Sequence, residues 1–370
     1  MIRLLPAALL LAVVQEKSPS LPADPAYFPI AVWLQNPGNA GKYKDAGINT
    51  YVGLWAGPTA GQLDALKAAG MKVVCHQNAV GLARKDDPTI IAWMHGDEPD
   101  NAQAKPGGGG YGPPILPEKI AGDYKKIQEA DPSRPVLLNL GQGVAWDNYI
   151  GRGVRRNKPE DYPEYLKGCD IASFDIYPAV HDHADIAGKL WKVSEGVERL
   201  RKWGEGKKIV WNCIEASRID NEKVKPTPAQ VRAEVWMSLV HGSSGLIYFV
   251  HQFKPRFSEA SLFQDAELLA GVTAVNKQIQ SLAPALNSPT IADGVAVASD
   301  SPVDAIAKRQ GDSTWVFSVA MREQASKAAF TVKGAKGTVE VLGENRTIPL
   351  KDGKFDDEFK PYEVHLYRIR

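Results

Sequence analysis

Near-continuous apolar runs recur along the first two thirds of the chain, at Ile30–Gln35, Ile48–Trp55, Met71–Gln77, Ile90–Gly96, Pro135–Leu140, Asp170–Tyr177, Lys208–Glu215 and Gly245–Gln252. Runs without polar alternation are expected of parallel strands covered on both faces. Between them lie helical patterns over Gly61–Ala69, Pro117–Ala130, Asp185–Trp203 and Pro228–Val240. Gly47, Gly70 and Gly245 fall between such a pattern and the next apolar run, where a helix has to stop. The alternation predicts a (β/α)8 barrel over residues 27–285. Its weakest unit is Asn78–Thr89, which leaves room only for a very short helix.

After a last helical stretch over Glu259–Ala283 the pattern changes to short alternating segments, Ala305–Lys308, Thr314–Met321, Ala328–Lys333, Thr338–Leu342 and Glu363–Arg368. Turn signals separate them, among them Gln310-Gly311-Asp312 and Lys351-Asp352-Gly353-Lys354. This predicts a small antiparallel β-sandwich over residues 288–370, with no helix of useful length.

Composition narrows the field. Lys and Arg number 44 against 43 Asp and Glu, for a formal charge of +1, and no basic block occurs, which excludes nucleic-acid binding driven by bulk charge. The longest apolar run, Leu4–Val14, is too short to span a bilayer. Following Arg3 and preceding Gln15, Glu16 and Lys17, it suits a secretory signal over roughly residues 1–18, and hence a secreted or periplasmic protein. The three cysteines, Cys75, Cys169 and Cys213, sit in or beside apolar runs, as buried free thiols do.

Catalytic groups in a barrel project from the C-terminal ends of its strands. Here those ends carry polar and aromatic residues repeatedly: Gln35, Trp55, His76, Gln77, His95, Asn139, Asp175, Tyr177 and His251. Glu98 and Glu215 end the fourth and seventh strands and are expected to face each other across one cavity. Hydrolysis of a glycosidic bond needs two such carboxyl groups, one to protonate the leaving oxygen and one to attack or to activate water. Trp33, Trp55, Trp93, Trp146 and Trp211 lie on strands or at strand-to-helix loops, where flat indole faces can stack on pyranose rings.

The run His95-Gly96-Asp97-Glu98-Pro99, with a second glutamate closing strand seven, resembles clan A of the glycoside hydrolases, the retaining "4/7" (β/α)8-barrel enzymes. The resemblance implies an oligo- or polysaccharide substrate, no cofactor, Glu98 as acid/base and Glu215 as nucleophile. Tyr177 matches the tyrosine that often hydrogen-bonds the nucleophile. Many members carry Asn before the acid glutamate, to hold the sugar 2-hydroxyl, and here that residue is Asp97. Substrate contacts are accordingly expected from Trp33, Trp55, His76, Gln77, His95, Asp97, Asn139, Trp146, Asp175, Tyr177, Trp211 and His251.

Two other readings stay open. One is a carbohydrate-binding pseudoenzyme, with Asp97 marking a lost catalytic contact. The other is a metal-dependent barrel hydrolase, because His181-Asp182-His183 spaces two imidazoles as metal ligands can be spaced. The four-glycine run Gly107–Gly110 follows Glu98 closely and is expected to form a mobile loop near the cleft.

Overall fold

The computed structural model describes residue 21 and residues 24–370, so the segment read as a secretory signal lies outside the described residues. Strands β1 (Ile30–Trp33), β2 (Thr50–Val52), β3 (Lys72–His76), β4 (Ile90–Met94), β5 (Val136–Leu140) and β6 (Ile171–Phe174) pair in parallel, each with the next. The seventh barrel strand comes in two pieces. The first, β7 (Ile209–Val210), pairs with β6, and the second, β8 (Asn212–Glu215), pairs with β9 (Leu246–Phe249). Because β9 also pairs with β1, the sheet closes on itself as a (β/α)8 barrel.

Trp211 marks the break. Its N–H still bonds the Ala172 carbonyl at 2.9 Å, while the next N–H, from Asn212, turns to Gly245 at 3.2 Å. Trp211 is fully buried in the barrel's interior cluster with Trp33, Val74, Met94, Leu137, Ile171 and Cys213. The space for its indole comes from Gly245, where a β-carbon would stand 2.5 Å from the ring.

Helices α1 (Ala40–Asp45), α2 (Ala60–Ala69), α3 (Ala79–Ala83), α4 (Pro117–Ala130), α5 (Tyr162–Tyr165), α6 (Lys192–Trp203), α7 (Pro228–Val240) and α8 (Ala266–Leu286) alternate with the strands. Their bounds follow from caps. Thr227 and Gln230 form a reciprocal capping box at the start of α7, with Pro228 in the first turn, where its missing N–H costs nothing. Gly70 ends α2 at φ 68°, a left-handed conformation that favours glycine.

Two helices differ from expectation. The pattern over 185–203 becomes helical only from Lys192, since His181 and His183 accept backbone N–H bonds from His183 and Asp185 through their own ring nitrogens. These local bonds compete with the helical ladder. The helix expected at 259–283 is shifted to 266–286. Asp265 caps it through Leu268 N (3.1 Å), and Ser261 ties the preceding turn to the Val250 carbonyl (2.7 Å).

The rest of the chain forms two antiparallel sheets, and no described residue after α8 is in an α-helix. One sheet contains β10 (Val295–Ser299), β13 (Ser326–Val332) and β16 (Lys354–Phe359). The other contains β11 (Val303–Gln310), β12 (Ser313–Ala320), β17 (Val364–Ile369), β14 (Thr338–Val341) and β15 (Arg346–Pro349). In β13 buried and exposed residues alternate strictly, and Phe330 stacks on Phe355 with centroids 4.7 Å apart. The sandwich packs on the barrel's outer layer, where Phe317 of β12 meets Trp236 of α7 at 5.5 Å. Among the described residues no helix is long and apolar enough to cross a membrane.

Candidate active site

Glu98 occupies the turn after β4, and its backbone sits at φ 42°. A non-glycine residue in the left-handed region is strained by roughly 1 kcal/mol or more and persists only where its surroundings hold it. Here Glu98 N bonds the Asn139 carbonyl (3.1 Å), and Asn101 N (3.1 Å) and Gln103 Nε2 (3.2 Å) both bond the Glu98 carbonyl. Asn101 Nδ2 donates to Glu98 Oε2 at 2.8 Å. The loop is anchored by the buried Asp100, which accepts from Gly141 N (2.8 Å) after β5 and from the Tyr162 hydroxyl (3.0 Å).

Three carboxyl groups converge beside this turn. Asn139, buried near the end of β5, donates its amide to Asp97 Oδ1 (2.9 Å) and to Asp175 Oδ1 (3.1 Å). The Asn139 oxygen accepts from the Ser173 hydroxyl at 2.7 Å, which fixes the amide's orientation. Burial pushes the Glu98 carboxyl well above the usual carboxylate range, and the nearby charges of Asp175, Asp97 and Asp100 add to the shift. Asp97 is pushed up to about 7 by burial of its carboxyl and by Asp175, although part of the residue meets solvent. Asp175 is raised by burial too, against the opposing pull of Cys213, Asn139, Glu98 and Tyr177 around it. Burial and mutual repulsion thus favour the protonated form of Glu98 in particular, as a general acid requires.

Glu215 ends β8. It is fully buried, its Oε1 accepts from the Ala179 N–H in the loop after β6, and its Oε2 has no hydrogen-bond partner. Its carboxyl adjoins that of Glu234, which projects inward from α7 and is also fully buried. Burial pushes Glu215 up to about 8 and Glu234 well above its ordinary value, the latter reinforced by the Glu215 charge. The carboxyl groups whose charges act on Glu98 are thus Asp97, Asp100 and Asp175, and the one that acts on Glu215 is Glu234.

The other expected contact residues divide into three groups. Tyr177 borders Asp175 and Glu98 and lines a cavity of about 670 Å³ with Gln142, Val180, His181, Asn221 and Lys254. His76 is exposed at the end of β3, Trp55 is exposed at the rim, and His251 is buried beneath Trp55 against Gln35. The second group is structural. Trp33 and Trp211 fill the barrel interior, where bulk is needed to close it, rather than its rim. Gln77 bonds the Ile127 carbonyl of α4 (2.9 Å) and buried His95 bonds the Gly168 carbonyl (2.8 Å), so both point into the surrounding layer. Trp93 does the same through Asp131.

Trp146 forms a third group, with His181 and His183 edge-on or tilted against its indole at 5.7 and 4.6 Å. The two imidazoles are 6.4 Å apart, and His181 Nε2 is engaged by Gln142 Oε1 at 3.0 Å. Among the described residues no group of three or more His, Cys, Asp or Glu side chains could hold a metal ion. Cys75, Cys169 and Cys213 are buried and unpaired. Glycines 107–110 all have positive φ within a tight turn, closed by a bridge between Ala104 and Tyr111.

Sequence reasoning missed Asp100, Glu234, Phe253 and Phe257. Asp100 directly follows the strand-end motif, two residues after Glu98, and was within reach of it. Glu234 sits inside a helical pattern, where a glutamate ordinarily marks the solvated face.

No protein-family model matches the chain, and no curated protein matches it by sequence. Similar solved structures include AmyP in complex with maltotriose, at 10% identity and TM-score 0.57, covering 94% of this chain and 97% of that one. A GH42 beta-galactosidase from G. stearothermophilus aligns at 10% identity and TM-score 0.59, covering 93% of this chain and 98% of that one. A putative alpha-galactosidase/melibiase from Bacteroides fragilis aligns at 11% identity and TM-score 0.50, covering 93% and 79%. What the chain shares with these proteins is the fold, a (β/α)8 barrel followed by a β-sandwich.

Proposed function

We propose that the protein is a glycoside hydrolase acting on an oligo- or polysaccharide or a related glycoside. The observation that carries this reading is the convergence of Glu98, Asp97 and Asp175 at the C-terminal mouth of the barrel, beside the cavity that Tyr177 lines. Glu98, held protonated by its burial and its anionic neighbours, would donate its proton to the glycosidic oxygen. Asp175 would attack the anomeric carbon, and Glu98, now the base, would take a proton from the water that releases the sugar. Esterification of Asp175 removes a negative charge beside Glu98, which lowers its pKa when a base is needed.

Glu215 is the second reading for the attacking carboxylate. Its position at the end of the seventh strand favours it, while its full burial against Glu234 opposes it. The resemblance to the retaining "4/7" enzymes favours Glu215, which closes the seventh strand, whereas Asp175 follows the sixth. The purified full chain is to be screened against aryl glycosides and polysaccharides, with the anomer released followed by NMR. Asp175→Asn and Glu215→Gln are then compared on the best substrate. A loss of at least about a thousandfold for Asp175→Asn, with a smaller one for Glu215→Gln, is expected. The reverse order would transfer the role to Glu215. No turnover of any glycoside, with an oligosaccharide still bound, would replace hydrolysis by binding alone.

A further inference from the structure

The loop after β9 builds an aromatic shelf that no part of the chemistry above uses. Gln252 and Ser258 exchange backbone hydrogen bonds of 2.9 and 2.8 Å, which close a small hairpin bearing Phe253 and Phe257 at its tip. The tip is tied to the loop after β8, where the Ile219 carbonyl accepts from Phe253 N at 2.8 Å. Ile219 has φ 51°, a conformation a β-branched residue rarely adopts, so the tie is maintained against backbone strain.

Aromatic rings run without a gap from the carboxylates to this tip. Tyr177, which adjoins Asp175 and Glu98, lies 5.2 Å from Phe249, Phe249 lies 6.2 Å from Phe253, and Phe253 lies 5.8 Å from Phe257. His251 is nearly parallel to both tip rings, at 17° and 18°, and Trp55 stands edge-on to it at 5.9 Å. The outer end is open, with Trp55, Phe253 and Phe257 exposed to 48%, 45% and 55%.

The polar atoms bordering the shelf are engaged with one another. Trp55 Nε1 donates to Glu259 Oε1 (3.1 Å), and Gln35 Nε2 donates to the Glu259 carbonyl (2.8 Å) and faces His251 Nε2 (3.2 Å). Gln35 Oε1 accepts from the Tyr43 hydroxyl, and Gln252 Nε2 reaches the Arg256 carbonyl at 3.4 Å. Between the two rings the hairpin carries the exposed Lys254 and Arg256, while the ring faces themselves and the groups beneath them offer few free hydrogen bonds. A pyranose laid there would lose water from hydroxyls that find no partner, whereas a flat apolar group would lose nothing.

We propose that the shelf binds an apolar, planar leaving group, the aryl or polycyclic alcohol of a glycoside whose sugar lies by Glu98 and Asp175. The location of that sugar rests on the glycoside hydrolase reading; the shelf's affinity for the planar group does not. On cleavage the glycosidic C–O bond breaks, the Glu98 proton passes to the departing alcohol oxygen, and water supplies the hydroxyl of the released sugar.

The test is binding of 2-naphthol to the full chain by equilibrium dialysis, with maltotriose as the polar comparison. Saturable naphthol binding is expected, weakened about tenfold or more by Phe253→Ser combined with Phe257→Ser and retained by Phe253→Tyr. Both phenylalanines are exposed, so an unchanged Tm checks that the double variant is folded. With hydrolysable probes, the ratio of kcat/KM for 2-naphthyl over methyl glycosides should fall by about the same factor. Loss of naphthol binding in the double variant supports the shelf whether or not any glycoside is turned over. Unsaturable binding, an unchanged Kd in the double variant, or a loss confined to maltotriose overturns it.

Discussion

Glu215, at the end of β8, and Glu234, on α7, bury their carboxyl groups against each other with no basic side chain among the groups that set their protonation. Two carboxylates so placed cannot both be ionised, and the pair retains a proton to about pH 8 or above. An unfolded glutamate is ionised above about pH 4.5, so folding takes up a proton across the interval between. Stability from this pair is therefore present at low pH and lost as pH rises toward 8, by up to about 1.4 kcal/mol per unit. Glu234→Gln, whose amide can donate to ionised Glu215, should flatten that decline. Thermal unfolding followed by circular dichroism from pH 5 to 8 measures it, and equal slopes in both proteins would show that the pair does not carry the proton.

Asp97 places a second negative charge beside Glu98. If Glu98 is the general acid, activity falls as pH rises through its raised pKa. Asp97→Asn removes part of the cause of that rise, so the alkaline limb of kcat/KM should move to lower pH by on the order of half to one unit. A limb that stays in place would assign the ionisation to another group.

Glu98→Ala removes proton transfer and leaves the attacking carboxylate. Hydrolysis of a substrate with a sugar leaving group should drop about a thousandfold or more, and a dinitrophenyl glycoside, whose leaving group needs little protonation, should lose much less in its first step. Burst kinetics with the aryl substrate would show the accumulated intermediate. Equal losses with both leaving groups would remove Glu98 from the role of acid.

Arg152 is 1% exposed and bonds Asp161 Oδ2 (2.8 Å), the Asp100 carbonyl (3.2 Å) and the Lys158 carbonyl (2.8 Å). Arg152→Ala would leave these acceptors buried, Asp161 retaining only Arg155. A loss of about 3 kcal/mol is expected from chemical denaturation, together with reduced turnover, since Asp100 anchors the loop that carries Glu98. A loss below about 1 kcal/mol would mean that water or a local shift replaces the guanidinium.

Much of the architecture was legible because long apolar runs and capped helices are local properties. Pro117–Ala130 and Pro228–Val240 emerge as helices with the expected bounds, each opened by proline. The strands β15 and β16 were not, because charged and polar residues, as in Lys354–Phe359, leave little apolar signal, and β10, Val295-Ala296-Val297-Ala298-Ser299, has no apolar–polar alternation. At the site, strand-end polarity pointed to Asp97, Glu98, Asn139, Asp175 and Tyr177 together. Pairing was the harder matter. Which carboxyl groups meet depends on loop conformation beyond the strand ends, such as the positive φ of Glu98 and the turn that brings Ala179 N to Glu215. Neither leaves a mark in periodicity.

Helix α7 turns Glu234 toward the barrel and Trp236 toward the sandwich, and one continuous apolar core runs through it, from Ile214 and Val235 to Phe317, Val319 and Leu366. A chain cut after α8 would leave Trp236 without its cover, and the isolated sheets would expose Phe317. The two parts should accordingly melt in a single calorimetric transition, with neither surviving as a stable fragment. The sandwich then acts as a keel fixed to the barrel's flank, and any adjustment to a substrate has to come from the loops at the C-terminal strand ends.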